Sequence, residues 1–276
     1  MPQRLDLACV SFLNALPYVE GLRRIPQIRR PRLTLDPPFR CAERLIRGEV
    51  AAALIPSIEY ARIEGAVPAG DFGITSMHEV RSVLLLARRP LPEIRDVAVD
   101  LNSRTSVALL RVLLSRLHGI RPPMVSMPPA RGPMLERCDA ALLIGDAALT
   151  ADREGVEVHD LASMWRDHTC MPFVFALWAA ADGEAGARAA GVLGEALALG
   201  LSALPEAAEV AGRRSGLRAQ DVIGYLTQNI HFVIGTEERR SLRFFLELCR
   251  EEGILPREMK HISEGGAQRR ERARSI

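Results

Sequence analysis

The chain has 276 residues, 48% of them hydrophobic and 25% charged, with a formal charge of +2 at neutral pH. That length allows two lobes rather than one small core, and the composition is that of an ordinary soluble globular protein. So small a charge argues against a nucleic-acid partner, which needs a concentrated basic face, and the basic side chains are nearly all arginine, Lys260 being the single lysine.

In chain order, "LDLACVSF" reads as a first strand, and a helix is expected to begin around Pro17, since proline is tolerated in a helix's first turn. Asn14 stands between them, cutting an apolar run, and a buried amide there needs a hydrogen-bond partner. "RLTLDPP" is a short strand closed by Pro37 and Pro38, "CAERLIRGEV" a helix ending near Gly48, and "AAALIPSIEY" an apolar strand stopped at Pro56. This β-α-β-α-β opening predicts a mostly parallel sheet covered by helices. "SVLLLARRP" from Ser82 and "RDVAVDLNS" are further strands. "SVALLRVLLSRL" has apolar residues at 107, 109, 110, 113, 114 and 117, a helical spacing. "DAALLIGDAAL" is a buried strand ending in a Gly145-Asp146 turn, and "PFVFALWAAA" is a last β-like run. From Gly186 the chain turns helical: to Leu204, again from Gln220 to Ile234, and in "ERRSLRFFLELCREEG"; the closing "GGAQRRERARSI" reads as a frayed polar tail.

The expected architecture is therefore α/β and two-lobed, with residues 1–86 plus 178–276 as the first lobe and 87–177 as the second. The runs at 82–87 and 172–180 are the expected crossings, and a cleft between lobes is a favoured ligand site. No run is apolar and long enough to span a bilayer, and "MPQRLDLACV" lacks the regions of a signal peptide. Five dispersed cysteines (Cys9, Cys41, Cys138, Cys170, Cys249), with no CxxC pair, favour reduced thiols in a cytoplasmic protein over a disulfide framework or zinc site. Nothing in these features sets an oligomeric state.

The sharpest local signal is "DLNSRTSVALLR", where Ser103, Thr105 and Ser106, with Arg104 among them, precede an amphipathic helix. A helix N-terminus exposes unpaired N–H groups and a partial positive charge, so it suits a carboxylate or phosphate. The plainer reading is that one hydroxyl caps the helix, for which one suffices. In "IPSIEY", Ser57 follows Pro56 at a strand's C-terminal edge, where open α/β sheets bind ligands, though a lone serine there also suits a cap. Ser82 sits at the expected first crossing, and Asn14 at another strand end. The histidines show no metal spacing, His168 standing apart only because it precedes the return crossing. Asp146 could serve as a base or simply form its turn, and Trp165, Phe173 and Trp178 read as packing. Nucleophile-elbow, dinucleotide and P-loop motifs are absent. From residues alone, the chain is expected to bind a small organic anion in a cleft lined by hydroxyls, an amide and a helix N-terminus. A transport solute-binding protein or a regulator's effector domain would share that pattern, but the first expects a leader or lipid anchor and the second a DNA-binding helix-turn-helix ahead of the sheet.

The succession "VSFLNALPYVEGL", "GEVAAALIPSIEY", "SVLLL", "DLNSRTSVALLRVLL", "DAALLIGDAAL" and "PFVFALWAA", followed by "YLTQNIHFVIGTEERRSLRFFLELCREEG", resembles the MqnA/MqnD family of menaquinone biosynthesis by the futalosine route. The resemblance runs to about residue 260 and is most specific in the SFLN and SRTSVALLR blocks. It implies a type II periplasmic-binding-protein fold reused as an enzyme. It also implies a lyase reaction without cofactor or metal, in which chorismate loses water to give 3-[(1-carboxyvinyl)oxy]benzoate. The sister branch cleaves cyclic de-hypoxanthine futalosine to 1,4-dihydroxy-6-naphthoate, and tends to carry an acidic residue after the Asn; "FLNALP" here favours the dehydratase branch. The expected catalytic residues are Asn14 and Ser82, and the expected substrate-binding residues are Ser11, Ser57, Ser103, Arg104, Thr105, Ser106, Gly145 and Asp146. The residues offer no convincing protein base, and the resemblance implies the substrate's own enolpyruvyl carboxylate in that role. "MHEVRS" departs from the family pattern, which would place a glycine near residue 80.

Overall fold

The computed structural model describes residues 4–100 and 103–256. The tail expected to fray, and Leu101-Asn102 before the SRTS block, lie outside the described residues. The chain opens with β1 (Asp6–Val10), α1 (Leu16–Arg24), β2 (Arg32–Asp36), α2 (Pro38–Ile46), β3 (Ala52–Pro56), α3 (Ser57–Tyr60) and β4 (Val67–Ser76). It continues with β5 (Val83–Ala87), β6 (Val97–Asp100), α4 (Arg104–His118), β7 (Met124–Met127), α5 (Arg131–Arg137), β8 (Ala140–Ile144), α6 (Gly145–Leu149), β9 (Glu157–Asp160) and α7 (Leu161–Thr169). It closes with β10 (Phe173–Ala180), α8 (Gly183–Ser202), α9 (Leu204–Ser215), α10 (Ala219–Gly224), β11 (His231–Val233) and α11 (Thr236–Glu251).

Two sheets result: a six-stranded one ordered β11-β4-β10-β3-β1-β2 and a five-stranded one ordered β7-β6-β8-β5-β9. β1 runs parallel to β2 and β3, and β6 parallel to β7 and β8. β10 is antiparallel to β3 and β4, and β5 antiparallel to β8 and β9. Each sheet is therefore mixed, where a mostly parallel one was expected. A strand arriving from the other lobe enters at the edge where the parallel strands end, so it must run the opposite way.

The same fact moves the crossings. β5 lies wholly in the second sheet and β10 wholly in the first, so boundaries at 86/87 and 177/178 would cut through paired strands. The chain passes between sheets at 77–82 and 170–172 instead. Each crossing holds one of the only two non-glycine residues with positive φ among the described residues, Arg81 at 61° and Cys170 at 57°. The expected Gly145-Asp146 turn is the first turn of a short helix, and the stretch from Gln220 to Ile234 is helical only in part, its end pairing as β11 on the sheet edge. β4, β7 and β9 carry no clear sequence signal: β4 is punctuated by Pro68, Gly70 and Gly73, and the other two are four-residue edge strands.

β3, β5, β6 and β8 are buried along their whole length, as strands covered on both faces should be. α1 packs against α8 at backbone contact: a Cβ on Gly21 would fall 1.6 Å from the Ala196 carbonyl oxygen, and one on Gly200 1.7 Å from that of Pro17. This contact anchors the start of α1, and with it the Asn14 turn. Trp165 of α7 stacks edge-on against Phe173 of β10 and Phe245 of α11, at 5.4 and 5.9 Å, and its indole N–H donates to Ser241. These rings pack the second lobe's last helix onto the first lobe. Among the described residues no single helix is long and apolar enough to cross a membrane. The cysteines are unpaired, with only Cys170 exposed.

Candidate active site

The parallel strands β1, β3, β6 and β8 end toward a common cavity between the lobes, as ligand sites of open α/β sheets do. From the first lobe come Val10, Phe12, Asn14, Pro38, Pro56, Ile74, Phe175 and Ala176; the second contributes Val83, Ile144, Gly145 and the start of α4. Val80 and Ser82 of the outward crossing complete the wall. The lining is apolar apart from a few placed polar groups, the usual construction of a small-molecule site.

Asn14 sits in a 3-10 turn, Leu13–Ala15, directly before α1. It caps nothing: the residue at the N-cap of α1 is Ala15, with no side-chain cap. Its Oδ1 is buried without a hydrogen-bond partner. The Ser103 hydroxyl is likewise buried and unpartnered, and although Ser103 occupies the N-cap of α4 its side chain caps no N–H. A buried polar atom left unpaired costs about 1–3 kcal/mol, so two on one cavity point to a polar ligand. Thr105 accepts from the Ile58 N–H at 3.3 Å, which ties α4 to α3 across the lobes, and Ser106 adds a hydroxyl to the wall.

Arg104 lines the cavity but does not offer a free cation. Its Nη1 donates to Glu59 at 2.9 Å, and the other oxygen of that buried carboxylate accepts from Arg62 at 2.7 Å. An anion here meets hydroxyls and the N-terminus of α4 together with a guanidinium already shared.

Ser82 is 1% exposed, and its Oγ accepts a hydrogen bond from the Tyr225 hydroxyl at 2.8 Å. Burial raises the Tyr225 phenol far above its ordinary value, so it stays a donor. The Ser82 carbonyl accepts from the Gly145 N–H at 2.8 Å. Gly145, at φ 59°, lets Phe12 approach: an added Cβ would lie 3.0 Å from that ring.

Not every expected site residue reaches the cavity. Ser57 is fully buried and donates to the Val174 carbonyl at 2.6 Å, pinning α3 to β10 rather than capping a helix or facing ligand. Ser11 is exposed and lines an adjoining outer groove between α1 and α9, together with Asp146; the groove shares Val10 and Phe12 with the cavity. The Asp146 Oδ1 accepts from the Leu13 N–H at 3.0 Å; burial raises this carboxyl and that bond pulls partly the other way. His168 is exposed on α7 and lines no part of the cavity. Conversely, the sequence carried no signal for Tyr225, Phe12 or Phe175 at the site. Nor did it mark Asp160, whose carboxylate takes the N–H groups of Val80 and Arg81 in the crossing as well as capping α7. Among the described residues no three His, Cys, Asp or Glu side chains gather into a metal-holding group.

Two sheets, two crossings and a small polar-spotted cavity between them define a two-lobed type II periplasmic-binding-protein-like fold. Protein AF1704 from Archaeoglobus fulgidus superposes with a TM-score of 0.76 at 16% identity, covering 91% of this chain and 98% of its own. The periplasmic aliphatic sulphonate binding protein SsuA from Escherichia coli does so at 0.67 and 18% identity, covering 93% and 89%. The family model described as menaquinone biosynthesis matches residues 5–251, and the chain belongs to that family. A chorismate dehydratase of Thermus thermophilus is 31% identical, over 84% of this chain and 94% of that one.

Proposed function

We propose that this protein is a chorismate dehydratase, a hydro-lyase that converts chorismate to 3-[(1-carboxyvinyl)oxy]benzoate and water on the route to menaquinone. The observation that carries this reading is the 31% identity to a chorismate dehydratase along nearly that enzyme's whole length. The site's chemistry supports it. Chorismate carries two carboxylates and a ring hydroxyl, and the cavity offers hydroxyls, an amide and a helix N-terminus, with no free cation among its described lining residues.

Removing the proton from the ether-bearing ring carbon sends charge through the diene toward the ring carboxylate. The adjacent hydroxyl then departs with its electron pair, takes up a proton as water, and leaves an aromatic ring. Aromatisation drives the step, so the protein has mainly to orient the substrate and stabilise charge. The N–H groups at the start of α4, with Ser103 and Ser106, are the donors for the ring carboxylate. Asn14 and Ser82 are the groups for the departing hydroxyl. No carboxylate or imidazole among the residues lining the cavity is free to act as base, and the substrate's enolpyruvyl carboxylate takes that role.

Incubation with chorismate tests this: the expected result is loss of the diene absorbance with formation of an aromatic product. Consumption of cyclic de-hypoxanthine futalosine in place of chorismate would overturn the substrate, and tight chorismate binding without turnover would overturn the enzyme.

A further inference from the structure

We infer that Tyr225 is a positioning residue for the dehydration, aiming the Ser82 hydroxyl proton into the cavity; this rests on the proposed function above. A serine hydroxyl has one proton and two acceptor lone pairs. The hydroxyl of Tyr225, a residue 2% exposed, lies 2.8 Å away and occupies one lone pair of Ser82. In that bond the phenol donates and the serine accepts. With that direction set, the Ser82 proton is left to be donated elsewhere, and Ser82 lines the cavity. Accepting one hydrogen bond also polarises a hydroxyl as a donor to the next group in the chain. Ser82 thus becomes a fixed donor for oxygen carrying growing negative charge, which is what the departing hydroxyl needs.

The surroundings are built to hold this geometry. Tyr225 begins a π-helical turn, Tyr225–Asn229, an irregularity frequent at functional sites. The far end of that turn grips the same crossing, since the Asn229 amide donates to the Glu79 carbonyl at 3.0 Å. Arg81, immediately before Ser82, is held in the left-handed region at φ 61° while Asp160 accepts its N–H at 2.7 Å. Backbone strain of this kind persists only where the surroundings over-determine it. The crossing is thus held at Glu79 by the π turn and at Val80 and Arg81 by α7's cap, immediately before Ser82.

The test is a kinetic double-mutant cycle on chorismate with Tyr225→Phe, Ser82→Ala and the double variant, alongside thermal melts. Tyr225→Phe keeps the ring's packing and removes only the donor, so kcat is expected to fall about tenfold with KM changed less than about threefold, the worth of one hydrogen bond. In the Ser82→Ala background the same change should cost nothing further. An unchanged kcat in Tyr225→Phe, or losses that multiply in the double variant, would overturn the positioning role. A purely structural role would lower the melting temperature in both backgrounds and leave the folded fraction with normal kcat. The wild type is assayed first: if it leaves chorismate unchanged, the proposed function fails and takes this role with it, whereas normal wild-type turnover isolates any failure to Tyr225.

Discussion

The backbone N–H of Leu13 donates to the Asp146 carboxylate at 3.0 Å, and this single bond joins the turn after β1 to the helix after β8, one lobe to the other. It lies beside the contact of Phe12 with Gly145, so the rim of the cavity closes on an acceptor and a ring.

That relationship makes Asp146 a stability group rather than a base. Its carboxyl is raised by burial, so the folded state holds the proton more tightly than the unfolded chain does. The resulting stabilisation is complete below the unfolded carboxylate pKa of about 3.9 and is lost as pH rises through the folded value. Asn at this position still presents an oxygen to Leu13 but has no charge to bury. Asp146→Asn should therefore melt at or above wild type at neutral pH, with the difference vanishing in acid, and keep kcat within about tenfold. Asp146→Ala should lose about 1 kcal/mol with the bond. Losing a general base removes about 10²–10⁴-fold, so a collapse of that size in folded Asp146→Asn would make it the base after all.

Asn14 separates charge from shape. Asp there is nearly isosteric but brings a negative charge and only acceptors to a dianion's site. Asn14→Asp should fold and lose most turnover. Asn14→Ala removes an unpartnered buried oxygen and should melt near wild type while losing more catalysis than binding. Melts beside steady-state kinetics decide this, and near-normal kcat in Asn14→Asp would sink the catalytic role.

Ser103 should behave the same way on the binding side. A serine that caps its helix typically costs about 1 kcal/mol when changed to alanine, but this one caps no N–H. Ser103→Ala is expected to leave stability within about 0.5 kcal/mol and raise KM for chorismate. A full capping loss in the melt, with unchanged KM, would return the residue to a structural role.

Ser57 gives the opposite pattern. Its hydroxyl is spent on Val174, so Ser57→Ala should cost about 1–2 kcal/mol and leave kcat in the folded fraction unaltered. A selective loss of kcat or KM without a shift in melting would place it in contact with ligand.

What the residues determined by themselves was local and one-dimensional. The continuous apolar runs of β3, β5 and β8 made them buried strands, Pro17 placed the start of α1, and hydroxyls ahead of an amphipathic stretch marked the exposed start of α4. From these came a two-lobed α/β fold with a polar cleft, because strand and helix periodicities and helix termini follow from covalent geometry and solvation alone. Tertiary structure decided everything that depends on which strands pair and which side chains meet. Periodicity makes 83–87 a strand but cannot say to which sheet it belongs, so the crossings shifted to 77–82 and 170–172. Nor can it tell Ser57 from Ser82: both are serines beside apolar strands, and one donates to a carbonyl 117 residues away while the other accepts from a phenol 143 residues away. Hydrogen bonds of that reach are set by long-range packing, which leaves no spacing in the sequence to read.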